Sequence, residues 1–444
     1  MPQKNFVCLT LASLLLLVFV SCQVGFSVET LSLDDLPGSG EVLTIESDST
    51  LAINEGETAS SEGTLTIQGT TESTPTLEIT NNGNLTLKNT VTCNTANLTI
   101  HNNGNLTLED IAFTLNDNAT LAIANNGTFT VTDANIQVYG GKVYLTNIES
   151  LTANNWYIKD QFDGTFITND GEANLSECTF VTNGAEGKIE LFNSGNMQLV
   201  HGVFDVNYGG TVNMNSGTGT LTMTLCTMDI SGTSHGKKSS MNIVGGNSTW
   251  ENCSFVNNAG TINYLNTGKV SAANCSVNVY GENASTILSS SGPMTFEKLQ
   301  LTCDGSTSIT NWGTMTLNES SFNSSHSLTF MNNGNLTAEN WLVKTMYNDT
   351  RITVYNGNNG NITFNVPFIE NINSTVLASV GPEGQEFVES SGGTITVTNM
   401  GSLTEQTDIV GNSNYLLYMV IAFVALSVSL IIASNRHKNS ATKL

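Results

Sequence analysis

Charge, proline and basic residues are all scarce in this 444-residue chain: 12% of residues are charged, six are Pro, and 14 are Lys or Arg against 38 Asp and Glu. A soluble domain usually carries about a quarter charged residues. The polarity here must come from uncharged Asn, Thr, Ser and Gly, which is a β-solenoid composition. With two Arg, Arg351 and Arg436, and a net charge of −24, little is left to neutralise a phosphate backbone. Nucleic acid is excluded as a partner. The chain has no Gly-Lys-Ser/Thr phosphate loop and no Asp-x-Asp-x-Asp-Gly calcium loop. His101, His201, His235 and His326 share no spacing that would build a zinc site. No metal or cofactor is expected.

The two ends carry the long apolar runs. Lys4, the run Phe6 to Val20 and the small residues around Ser21-Cys22-Gln23 have the layout of a secretory leader over 1–22. Phe19-Val20-Ser21-Cys22 also has the outline of a lipid-attachment box, with Phe where Leu is usual. Tyr415 to Ala433 holds no charge and no Pro and, at ~1.5 Å per residue, spans roughly 28 Å. A membrane span over 415–433 is expected, since a buried helix there would have no helical partner. Glu405 and Asp408 lie before it, in a juxtamembrane segment 401–414, and Arg436, His437, Lys438 and Lys443 lie after it, in a short tail 434–444. The positive-inside rule keeps the tail in the cytoplasm and the N-terminus outside. A cell-surface, single-pass type I protein is expected, with the membrane as a partner. Its exported part holds ten basic residues against all 38 acids.

A repeat fills the middle. With the Gly of Asn81-Asn82-Gly83-Asn84-Leu85-Thr86-Leu87 as a mark, Gly-x-apolar-x-apolar recurs at Gly104, Gly127, Gly195, Gly219, Gly268, Gly292, Gly313, Gly334, Gly360 and Gly393. It recurs more loosely at Gly63, Gly171 and Gly246, with Glu149 once in its place. Intervals of about 20 to 27 residues are a solenoid period. Two before the mark stand Asn81, Asn102, Asn125, Asn147, Asn169, Asn193, Asn266, Asn311, Asn332 and Asn358. An apolar column stands four before it, from Ile79 to Phe330, and another nine after it, including Phe113, Phe180, Phe204, Phe255 and Phe322. Each repeat reads as strand, Asn-x-Gly corner, strand, bend, strand, with period-2 alternation. Gly is expected to supply positive φ at the corner, and Asn to hydrogen-bond its copy in the next coil at ~4.8 Å. A leucine-rich horseshoe lacks its Leu-x-x-Leu-x-Leu frame here, and antiparallel sandwiches would need hairpins of eight to twelve residues. The fold expected over 63–400 is an all-β, right-handed parallel β-helix of about fifteen coils of ~22 residues, behind a cap and first coils over 23–62.

Phe113-Thr-Leu-Asn116, Phe180-Val-Thr-Asn183, Phe204-Asp-Val-Asn207 and Phe255-Val-Asn-Asn258 hold one register, with Phe368-Ile-Glu-Asn371 one position early. This resembles the Phe-x-x-Asn motif of the polymorphic outer membrane protein family. That family's Gly-Gly-Ala-Ile motif is approached by Gly209-Gly210-Thr211-Val212 and Gly392-Gly393-Thr394-Ile395. The resemblance covers roughly residues 80–400 and implies a surface-exposed adhesin. The chain departs from the family's bacterial members, which end in a membrane barrel.

Sixteen Asn-x-Ser/Thr sequons occur where composition alone gives about thirteen. The best glycosylation candidates are Asn84, Asn105, Asn335 and Asn361, just after the mark, with Asn118 and Asn126 beside them. Asp205 and Asp229, ten after the mark in neighbouring coils, are the carboxylates an enzyme of the lyase or glycosidase type would use, with Lys159 or Lys188 as a base. Their outward alternation reads instead as solvated side chains, and no catalytic residue is assigned. Ser231 to Lys238 reads as a mildly basic solvated loop. Cys178, Cys226, Cys253 and Cys275 stand seven after the mark, the last three in consecutive coils. A parallel ladder does not offer the ~90° disulfide torsion, so these three are expected as buried free thiols, with at most one disulfide. The function expected is non-enzymatic binding of host-surface, environmental or glycan ligands. The alternatives are a membrane-anchored carbohydrate-active enzyme and a self-associating coat protein.

Overall fold

A computed structural model describes residues 28–339, apart from 163 and 235. Beyond them it describes the strands Leu342–Thr345, Arg351–Asn356, Asn361–Asn365, Phe368–Asn371, Thr375–Val380, Thr394–Asn399 and Ser402–Glu405. The leader 1–22, the apolar segment 415–433 and the tail 434–444 lie outside the described residues. Among the described residues, no helix is long and apolar enough to cross a membrane.

The chain winds as a right-handed parallel β-solenoid of about 14 turns, with almost no helix. Alternation drives the winding. In Asn84-Leu85-Thr86-Leu87 the leucines are buried and the Asn and Thr face out, so each strand offers one apolar edge to a shared core. The strand before the mark joins a 17-stranded sheet, the first face of the rod. Its inward column is in register from Ile79 through Ile100 and Ile123 to Leu145. The strands after the mark and after the bend make the second and third faces. They are not always separate: Asn84–Asn94, Asn105–Asn116, Thr128–Val138 and Ser150–Asp160 each run unbroken across the bend. At the N-terminal end a 3-10 turn, Leu33–Asp35, is closed by the Ser32 amide donating to Asp35 at 2.6 Å, and Leu36 packs on the core.

The register of the mark needs correcting at four places. Thr64 pairs with Thr90 on the third face, so Gly63 stands at the bend and not at the mark. Thr394–Asn399 pairs with Arg351–Asn356 on the first face, so Gly393 precedes a first-face strand. Asn399 and Asn356 fall in line with Asn332, which displaces Asn358 from the Asn column. Between Asn193 and Asn266 the column is filled by Ser216 and Gly245. Corners that gain or lose one or two residues shift a sequence count while the strands stay paired.

The corner glycines also work differently from the expectation. Gly83, Gly104, Gly127, Gly195, Gly313 and Gly334 are absent from the positive-φ positions. They are glycine because coils touch there: a Cβ on Gly104 would lie 2.2 Å from the Gly83 carbonyl oxygen, and one on Gly334 2.0 Å from that of Gly313. Left-handed backbone is found at the bend, six after the mark, in residues that carry side chains. Asn89, Asp110, Asp133, Asn155, Glu177, His201, Leu225, Asn252, Asn274, Lys298 and Glu319 all have φ between 47° and 67°. Six of these eleven are Asn or Asp, the residues that tolerate this conformation best.

Candidate functional site

The Asn column forms an internal polar spine. Asn81, Asn102, Asn125, Asn147 and Asn169 are fully buried, and each Nδ2 donates to the Oδ1 of the next Asn at 2.6–2.7 Å. Asn102 Nδ2 also donates to the Thr128 carbonyl at 3.0 Å, and Gly83 N and Gly127 N bond back to Asn81 and Asn125. The amides therefore satisfy the corner's main chain as well as each other, as burial demands. Past Asn193, Ser216 Oγ takes the Gly246 amide at 2.9 Å and Asn266 donates to Ser290 Oγ at 3.1 Å. Phe180 and Phe204 stack at 5.0 Å in the third-face column, and Phe255 lies 5.1 Å from Trp250. All of these are scaffold.

The sequon residues face outward. Asn84, Asn105, Asn118, Asn126 and Asn335 are exposed, while the Asn361 side chain lies outside the described residues. Asn105 donates to Asn84 at 2.7 Å and Asn126 to Asn103 at 3.1 Å, so these amides build outer ladders too. A column three after the mark escaped the sequence reading although it keeps the same register. Thr86, Thr107, Thr130, Thr152, Thr222, Thr249, Thr295, Thr316 and Thr337 line the second face. Asn-Leu-Thr sequons follow from this pattern, with Asn and Thr outward and Leu inward.

Asp205 and Asp229 are registered neighbours on the third face. Asp229 is partly buried, and burial first and the Asp205 charge second raise its pKa, against a lowering hydrogen bond from Asn258. Asp205 accepts from Asn207. Lys159 stands two strands from Asp205, beyond Val181. Lys188 is elsewhere, on the first face, 2.6 Å from Glu190 and over the Phe166 ring. The two lysines are not brought together with the carboxylates. Among the described residues, no group of three or more His, Cys, Asp or Glu could hold a metal ion.

Within Ser231 to Lys238, where a solvated loop is expected, two short strands pair. Thr233–Ser234 pairs antiparallel with Lys237–Lys238, Lys237 Nζ donates to the Ala185 carbonyl, and Lys238 Nζ donates to the Asn283 carbonyl at 2.6 Å. The lysines clamp a small hairpin across several coils.

Cys93, Cys178, Cys226, Cys253, Cys275 and Cys303 are all buried free thiols. Burial pushes Cys93 and Cys303 up to about 12 and Cys178 to about 11. Cys226 and Cys275 are raised, first by their side-chain contact with Cys253 and then by burial. Beside them, a void of about 10 Å³ lined by Trp250, Phe255, Tyr264 and Cys275 is at the lower limit for one water.

Compared with family models, curated proteins and solved structures, the chain matches none.

Proposed function

We propose that the chain is a non-enzymatic, adhesin-like surface protein, exported by the leader 1–22 and held by a single span at 415–433. Its solenoid acts as a rigid rod that meets host-surface, environmental or glycan ligands, in the manner of the polymorphic outer membrane proteins its Phe-x-x-Asn register resembles. The observation that carries this reading is the set of outer Asn and Thr ladders, repeated at strand spacing along the rod. A repeating polar surface engages a repeating or multivalent ligand at many weak points at once, which raises avidity without a pocket. Exposed Asn84, Asn105 and Asn126 are proposed as glycan acceptors on the same corner.

Binding of the full chain, reconstituted in vesicles, to a glycan array and to cells tests the reading. Saturable binding is expected; a rod that binds neither cells nor any glycan above protein-free vesicles would sink it. The Asp205–Asp229 pair favours a carbohydrate-active enzyme as the second reading. Release of reducing ends or unsaturated products from acidic polysaccharides, lost on Asp205→Asn, would establish that alternative.

A further inference from the structure

The faces of the rod differ in charge. From Ser49–Ile53 to Ser327–Asn332, the first-face strands carry two Lys, Lys142 and Lys188, and two Glu, Glu78 and Glu190, so they are neutral. Over the same coils the second- and third-face strands carry three Lys, Lys88, Lys159 and Lys344, against ten Asp and Glu. The six first-face strands from Thr211–Asn215 to Ser327–Asn332 have no charged residue. This neutral face also carries large apolar side chains in the open: Phe192 40%, Val244 40%, Leu265 47% and Ile287 38% exposed. Val244 and Leu265 are direct cross-strand neighbours, and Tyr144 stacks on Phe166 at 5.1 Å. Of the sixteen sequons in the chain, Asn97 alone lies in these first-face strands, at a strand entry.

We infer that the first face is a self-association surface, and that its occupant is the first face of a second copy of this chain. Two observations select that occupant. A chain of net charge −24 repels its own copies, and contact between first faces, whose strands carry no net charge, adds little to that repulsion. The area also suffices: thirteen strands at ~4.8 Å, each about 17 Å long, make a face of about 1,000 Å², against about 800 Å² per partner in a stable interface. Two sheets packed face to face would bury the Phe192, Val244, Leu265 and Ile287 side chains between them, as in a sandwich. This inference does not rest on the adhesin reading, because association needs no ligand.

The test uses the full chain in detergent, followed by sedimentation velocity at micromolar concentration. A dimer is expected, strengthened by salt because the remaining charges are alike. Val244→Glu with Leu265→Glu is expected to weaken it about a hundredfold, since like charges would then face each other. Thr222→Glu with Thr249→Glu, on the second face, is expected to leave it unchanged. Mixing the Glu pair with a Val244→Lys, Leu265→Lys pair is expected to restore dimers that neither forms alone. If the first-face double variant fails to fold by circular dichroism, Phe192→Glu with Ile287→Glu decides in its place. A monomeric parent, or a dimer indifferent to first-face charge, would overturn the inference; the latter is what association through 415–433 or through a bound glycan would give.

Discussion

Leu225 holds a backbone φ of 55° at the bend, where most coils place Asn or Asp, and its side chain is exposed. An L-residue in this region costs about 1–2 kcal/mol, and Leu has no polar side chain to offset it locally. Leu225→Gly removes the clash at some cost in chain entropy, so a gain of about 0.5–1 kcal/mol is expected in urea unfolding. A loss would mean that the exposed Leu makes a contact worth more than the strain. Asp229 is a second local conflict. Burial and then the Asp205 charge raise its pKa above 3.8, so the native state favours the protonated form. The stability this gives is complete below the ordinary value of 3.8 and is lost as pH rises through the raised value. Asp229→Thr is therefore expected to be more stable than the parent at neutral pH, with the difference shrinking as pH falls toward 3.8. Melting temperatures across that range check the sign.

Corners, more than strands, limit what each coil tolerates. A methyl on Gly104 would meet the Gly83 carbonyl at 2.2 Å, and backbone cannot yield as a flexible side chain can. Gly104→Ala is expected to cost about 1–3 kcal/mol by overpacking, measured by chemical denaturation. The cysteine column depends on the bend in a different way. Cys226, Cys253 and Cys275 lie side by side on consecutive coils, and their thiols bond main-chain carbonyls such as Leu199 at 3.5 Å and Met223 at 3.4 Å. Denatured without reductant, the chain is expected to titrate six thiols from Cys93 to Cys303, and when native almost none. A smaller count in the denatured state would show that the column has cross-linked.

Across the rod, each coil touches its neighbours only, so damage spreads along the stack before it is felt elsewhere. Phe255 is buried between Met228 and Val277 of the adjoining coils and against Trp250. Phe255→Asp places a charge there without a partner, at a cost of several kcal/mol. The expected result is early loss of protection in the coils around 220–300 by hydrogen exchange, with the coils near 80–150 protected longer. Uniform loss would show one cooperative unit. The distribution of charge is also a property of the whole rod: most carboxylates sit in corners, bends and second-face strands, while the first-face strands from Ser49–Ile53 to Ser327–Asn332 carry no net charge.

Period, alternation and the Asn and Phe columns were legible in the amino-acid order because a solenoid repeats local structure, so one coil's side-chain pattern is printed again in the next. The inward Cys column and the outward sequons followed from the same period-2 rule. Coil winding also brought Asp205 beside Asp229, twenty-four residues on, as the spacing implied. Other features depend on distances between coils, which no spacing encodes. The corner glycines answer to a carbonyl of the preceding coil, and the left-handed bend falls on eleven residues with no shared side chain. Ser216 and Gly245 replace Asn only because strand pairing absorbs a corner of different length. Lys188 left the carboxylates because it belongs to another face, and the neutrality of the first face emerged only once every strand had been assigned to a side.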